Sequence, residues 1–246
     1  MRLKKLVVNE SIIKNLNDEF VDKTPEDILK WCVDELHPNI SLATSFQAQG
    51  MVLIDMLMKI NNEARIFTID TGRLNQETYD VLDEISVKYK KNVEVLFPDF
   101  KEVEKMVSEK GINLFYKGVD NRILCCQIRK TNPLNRYLKT LDGWITSIRR
   151  DQTESRATAQ KFEIDTIHDG ILKVNPIVDW TDEMVWDYIK SNNVPYSKLY
   201  DKGYMSIGCE PCTRAVKKGE DPRAGRWWWE SDSNKECGIH FDYNSK

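Results

Sequence analysis

The sequence predicts an α/β protein whose mainly parallel central sheet is flanked by helices, and three observations predict it. Apolar runs of strand length alternate with segments of helical periodicity between residues 40 and 107. Each early strand is followed by a polar turn and a helix start, the order that right-handed βαβ crossovers require. The 246 residues, 41% hydrophobic and 30% charged, can bury a full α/β core as a single domain over 1–246, and the length does not force a second.

In chain order, Thr24-Pro25-Glu26-Asp27 reads as an N-cap, a proline at the first helical position and acids that favour the helix N-terminus. Ile28, Trp31, Cys32 and Leu36 mark one face of that helix before His37-Pro38 ends it, and Cys32 belongs to the core. Residues 40–46 form a strand, Gln47-Ala48-Gln49-Gly50 a turn, and Met51 to Ile60 a helix. The unit recurs, with a strand at Arg65 to Ile69, a turn at Asp70-Thr71-Gly72-Arg73 and a helix carrying Val81, Leu82, Ile85 and Tyr89. Val93 to Phe97 is a third strand, followed by helical spacing through Val107. Ligands on such sheets bind beyond the carboxyl ends of the strands, where both turns lie.

Downstream, Asn132 to Leu138 reads as helix and Trp144 to Ile148 as strand. Phe162 to Ile167 and Ile171 to Val174, separated by Asp169-Gly170, suit a hairpin or two edge strands. Thr181 caps a helix containing Val185, Tyr188 and Ile189, and after Pro195 the periodic pattern fades.

The net charge of −3 argues against a dedicated nucleic-acid binder. The N-terminus fails as a signal peptide, and the run around Met51 to Met58 is far short of the roughly 20 residues that span a bilayer. A cytoplasmic protein without membrane partners is expected, and there its six cysteines are reduced. Cys209 and Cys212 stand at metal-ligand spacing, and Cys125-Cys126 offers two more thiols. Adjacent cysteines count against zinc, whose structural sites space their pairs, and favour a [4Fe–4S] cluster, whose ligands bind different irons. Four buried thiols without a metal is the remaining reading.

Cys237 lies outside this set. Arg223, Arg226, Lys235 and His240 are close to it in sequence and would lower its pKa if close in space; the alternative is an incidental thiol in a solvated basic tail. Trp227, Trp228 and Trp229 are read as core or interface residues rather than ligand platforms. Lys130, Arg149, Arg150, Arg156, Arg223 and Arg226 suit phosphate and sulfate oxygens, and there is no Walker A loop.

Five ordered stretches carry a family resemblance: Cys125 to Lys130, Arg149 to Gln152 with Arg156, Gly208 to Thr213, Gly225 to Glu230, and Lys235 to His240. Together they resemble the assimilatory adenylyl-sulfate (APS) reductases, of the family that also includes the 3′-phosphoadenylyl-sulfate (PAPS) reductases. The resemblance implies an adenine nucleotide α-hydrolase-like fold and a [4Fe–4S] cluster held by Cys125, Cys126, Cys209 and Cys212. It implies that Cys237, on a mobile C-terminal tail of about residues 215–246, attacks the sulfur of APS. AMP leaves, and a separate thioredoxin frees sulfite from the S-sulfocysteine.

By the same resemblance, Ser45, Phe46 and Gln47 with Ile69, Thr71 and Arg73 match the nucleotide-binding loops. Lys130, Arg156, Arg223 and Arg226 match the substrate-anion contacts, and His240 takes an auxiliary role. PAPS-specific relatives typically lack the four cluster cysteines, so APS is the expected substrate, with dual APS/PAPS use as the alternative. The loop reads Ser45-Phe46-Gln47-Ala48 where several members have Ser-Phe-Ser-Gly, which leaves the contact of Gln47 open. No fused thioredoxin-like domain is expected, and the resemblance leaves the oligomeric state, monomer or homo-oligomer, open.

Overall fold

The computed structural model describes residues 8–230; Cys237 and His240 lie outside the described residues. These residues divide into two compact units, one of 8–68, 81–94 and 138–196, the other of 69–80, 95–137 and 197–230.

The six-stranded sheet has the order β3-β2-β1-β4-β6-β5. Its strands are β1 (Ile40–Ala43), β2 (Arg65–Ile69), β3 (Glu94–Leu96), β4 (Gly143–Ile145), β5 (Phe162–Asp165) and β6 (Ile171–Val174). β1 pairs in parallel with β2 and β4, and β4 with β6, whereas β5 is antiparallel to β6, in register from Phe162↔Val174 to Asp165↔Ile171. The hairpin reading of residues 162–174 holds, while β4 is shorter than its apolar run. There Thr146 turns the chain: its Oγ1 lies against Asn175 Oδ1 and accepts from Ile148 N at 3.4 Å, so the ladder stops although Ile148 stays buried.

Helix α1 (Glu10–Glu19), not among the elements expected from sequence, is capped by Asn9 and buries Ile13 and Leu16, three apart on one face. Helix α2 (Pro25–Leu36) starts as its signals predict: Thr24 Oγ1 accepts from Asp27 N at 3.2 Å, and Asp27 Oδ2 accepts from Thr24 N at 3.0 Å. Cys32 is fully buried. Thr181 likewise caps the last helix of the unit, α8 (Asp182–Ser191), accepting from Met184 N.

Helix α3 (Ala48–Ile60) is buried on nearly every side, packed by α2 and α8, which explains its continuous apolar run. Asp55 interrupts that run and is itself only 2% exposed. Its carboxylate accepts from Tyr89 OH at 2.8 Å, on α4 (Gln76–Tyr89), from Tyr188 OH at 2.9 Å and from Lys59 Nζ at 2.7 Å. Burial opposes its charge, but these three donors together outweigh burial and hold the carboxyl below its ordinary value of 3.8.

The folded pKa lies below the unfolded one, so the stability from Asp55 is complete above about pH 4 and is lost as pH falls through the folded value. Asp55→Ala, which takes the shared acceptor from two part-buried tyrosine hydroxyls, should cost about 2–4 kcal/mol in urea melts at pH 7 and shrink that acid-linked loss. An unchanged midpoint would show the network to be energetically idle.

The second unit contains α5 (Phe100–Lys110), α6 (Val119–Cys126) and α7 (Asn132–Leu138), then a chain without long elements after Ser197, as its faded periodicity implies. Its apolar core joins Met106, Leu114 and Phe115 to Cys209, Cys212 and Trp227.

Candidate functional site

Helix α6 brings Cys125 and Cys126 to its last turn, and the chain continues through a π-helical turn, Gln127–Thr131, into α7. Such a turn inserts a residue into the hydrogen-bond ladder and re-aims the side chains beyond it. Arg129 Nη1 then donates to Thr71 O at 2.7 Å, and Thr71 Oγ1 lies 3.2 Å from Cys209 Sγ.

Cys209 and Cys212 are held by a short turn, with Cys212 N donating to Cys209 O at 2.9 Å and Glu210 N to Arg73 O at 2.8 Å. Thr213 Oγ1 also donates to Cys209 O, at 3.0 Å, and accepts from Gly208 N at 3.1 Å. A Cβ at Gly208 would stand 2.5 Å from the Arg226 guanidinium, so a side chain there would displace the end of that arginine.

All four cysteines line one pocket, together with Arg73, Arg122, Arg129 and Lys130. Phe115 and Trp227 supply its apolar wall. Burial pushes the Cys212 thiol up to about 12, reinforced by Cys209 and only partly offset by Lys130 and Arg226. Burial also raises Cys125, with Arg129 pulling the other way. As free thiols these groups are poor nucleophiles at neutral pH.

The donor set fits an anionic sulfur-rich group: four thiols face one space among cationic side chains. Around it, Arg226 Nε, Trp227 Nε1 and Trp229 Nε1 are buried donors without a hydrogen-bond partner among the described residues. Also among the described residues, no three His, Cys, Asp or Glu side chains converge as they would on a single ion.

The other expected site residues are distributed as follows. In the first unit, Ser45, Phe46 and Gln47 link the carboxyl end of β1 to the N-terminus of α3. Phe46 is buried with φ of 56°, its N donating to Thr44 Oγ1 at 3.0 Å, while Gln47 Nε2 donates to Ser45 Oγ at 3.1 Å. A loop entering a helix N-terminus is suited to an anion.

In the same unit Arg149 is buried against Asp182 at 3.0 Å, Arg150 pairs with Asp179, and Arg156 donates to Gln152 Oε1. In the second unit, Ile69 ends β2 and Thr71 and Arg73 follow it; Arg73 donates to Ile112 O and Asn113 Oδ1, both at 3.0 Å, and lies over Phe115. Arg226 is 5% exposed and lies over the Trp227 ring at 4.7 Å, whereas Arg223 is partly exposed. The tryptophans divide: Trp227 is core, Trp229 half-buried against Tyr116, and Trp228 is 49% exposed.

Arg122 and Phe115 were absent from the residues singled out by sequence, and Arg129 entered only within the stretch Cys125 to Lys130. For Arg122 the signal was its place three and four residues before the cysteines, one helical turn away.

The mainly parallel sheet with its loop-to-helix turns defines an α/β protein, whose second unit holds a cationic thiol pocket. Residues 39–215 match the phosphoadenosine phosphosulfate reductase domain family. The adenosine 5′-phosphosulfate reductase of Burkholderia cepacia is 44% identical over 215 residues, 87% of this chain and 86% of that protein. That of Neisseria meningitidis serogroup B is 45% identical over 205 residues, 83% of each. Among solved structures, phosphoadenylyl-sulfate reductase from Candida auris, in a phosphate complex, superposes with a TM-score of 0.74 at 28% identity, covering 86% of this chain and 100% of that one. The chain belongs to the APS/PAPS reductase family of oxidoreductases. No helix among the described residues is long and apolar enough to cross a membrane.

Proposed function

We propose that this protein reduces APS to sulfite and AMP in assimilatory sulfate reduction, in the cytoplasm. The observation that carries the reading is the single pocket lined by Cys125, Cys126, Cys209 and Cys212, in a chain 44–45% identical to relatives named for APS reduction. The four cysteines hold a [4Fe–4S] cluster. Each binds a different iron, so their sulfurs need not converge on one point. When bound, the cluster supplies a fixed charge beside Lys130 rather than electrons to substrate.

Cys237 performs the chemistry. Its thiolate attacks the sulfur of APS, an S–S bond forms as the S–O bond to AMP breaks, and AMP leaves with the electron pair. A separate thioredoxin then attacks the S-sulfocysteine with one thiol, sulfite departs, and the second thioredoxin thiol closes a disulfide. Two thiols are oxidised as the sulfonate sulfur is reduced, so no single-electron carrier is needed.

Lys130, Arg156, Arg223 and Arg226 offset charge on the sulfate and phosphate oxygens as it shifts during transfer. Ser45, Phe46 and Gln47 with Ile69, Thr71 and Arg73 bind the nucleotide, and His240 assists within the tail.

The test is sulfite release from APS by reduced thioredoxin, with PAPS as the competing substrate. A kcat/KM for APS at least about 100-fold above that for PAPS is expected. Comparable values would make this a dual-substrate enzyme, the reading favoured by likeness to the Candida auris PAPS reductase, and absent turnover with either would overturn the proposal.

A further inference from the structure

Arg122 and Glu230 form a buried ion pair whose side chains are 3% and 5% exposed. The pairing is a fork: Arg122 Nε donates to Glu230 Oε1 at 3.1 Å and Nη2 to Oε2 at 3.0 Å. The Arg122 guanidinium also lies over the Trp227 ring, 4.5 Å from its centroid. Neither residue is a cluster ligand or a substrate-anion contact in the function proposed above.

A buried ion pair is a poor device for adding stability. Desolvation offsets much of the attraction, and apolar replacements of similar volume are often neutral. What a forked pair adds is direction, since a guanidinium planted in a packed wall accepts a carboxylate in one orientation.

The two ends of this pair are the informative part. Arg122 stands one turn before Cys125 and Cys126, and all three line the same pocket. Glu230 precedes Cys237 by seven residues in sequence. Seven fully extended residues reach no further than about 25 Å, so the position of Glu230 bounds where the Cys237 sulfur can be.

We propose that Arg122 is a positioning residue for sulfur transfer: by clasping Glu230 it sets the point from which the segment bearing Cys237 leaves the helix that carries Cys125 and Cys126. The inference rests on Cys237 being the nucleophile.

The test uses the full-length, cluster-loaded protein with Glu230→Gln, which removes the charge, and with Arg122→Met/Glu230→Leu, which replaces both partners. Single-turnover formation of sulfonated Cys237 from APS, without reductant, is followed by intact mass beside AMP affinity and visible absorbance. A second readout is the distance distribution between spin labels at Cys237 and at a Lys105→Cys position on the exposed face of α5. Expected are sulfonation slowed about 10- to 100-fold, AMP affinity within about twofold, unchanged absorbance and a broadened distance distribution.

Wild-type sulfonation rates in both variants, or a rate loss matched by equal losses of AMP affinity or absorbance, overturn the proposal. Should the double variant not fold, Glu230→Gln decides it alone. If the wild-type protein forms no sulfonated Cys237, the reductase reading has failed, and unchanged label distances in the variants would separately sink the clasp.

Discussion

Cys237→Ser should abolish sulfite formation, lowering turnover at least about 1000-fold, and should leave no sulfonated protein when APS is added without reductant. A serine hydroxyl at neutral pH has almost no anionic form, whereas a thiolate near cationic side chains is both populated and intrinsically nucleophilic. No other described cysteine is placed to substitute. Cys32 is fully buried and its thiol is pushed far up by that burial, and the remaining four share the pocket. Visible absorbance and AMP affinity should stay at wild-type levels, which separates loss of the nucleophile from loss of the site. Retained turnover in this variant would remove Cys237 from the reaction.

The second large effect is expected at the pocket. Cys212→Ser should remove most of the broad absorbance near 400 nm expected of an iron–sulfur protein and lower activity by about 100-fold or more. The reason lies in burial. Cys212 is 8% exposed, and without a metal its thiol stays protonated at neutral pH, with a pKa of about 12. Only ligation makes an anionic sulfur stable there. Arg73, Arg122, Arg129 and Lys130 line the same pocket as the four thiols, and burial holds Cys212 and Cys125 toward the neutral form. Glu230 pairs with Arg122, and a bound anionic cluster would sit among cationic side chains.

Iron and sulfide analysis of anaerobically purified protein provides the direct measurement. A colourless protein containing zinc would overturn the cluster and return the pocket to a mononuclear or regulatory role. The Cys237→Ser and Cys212→Ser variants are also diagnostic as a pair. The first should keep colour without activity, and the second should lose both.

The parts legible in the sequence were those with short-range causes. Thr24 and Thr181 capped their helices because each signal and its partner lie within three residues. The parallel order of β1, β2 and β4 followed from strands separated by helix-length segments, which hairpin turns cannot join. The Cys209/Cys212 spacing and the Cys125-Cys126 pair were visible as two ligand groups for the same reason. The same short-range signals are present at α1, where Asn9 Oδ1 accepts from Ile12 N and the buried Ile13 and Leu16 stand three apart, although no element was expected there.

By itself, then, the sequence determined the class of fold, the helix starts and the grouping of the cysteines. The tertiary structure alone decided which charges meet. It paired Arg149 with Asp182 and Arg150 with Asp179, buried Arg226 against Trp227, and surrounded Asp55 with two tyrosines and a lysine. It also assembled the two cysteine groups and four cations around one pocket and tied Arg122 to Glu230. Apart from Lys59, one turn from Asp55 on the same helix, and Trp227, next to Arg226, these pairings join residues far apart in the chain, and every arginine has many carboxylates of the right charge to choose from. Spacing along a sequence carries no information about which of them the packed core brings within 3 Å, because that choice belongs to the packing of side chains and not to local backbone preference.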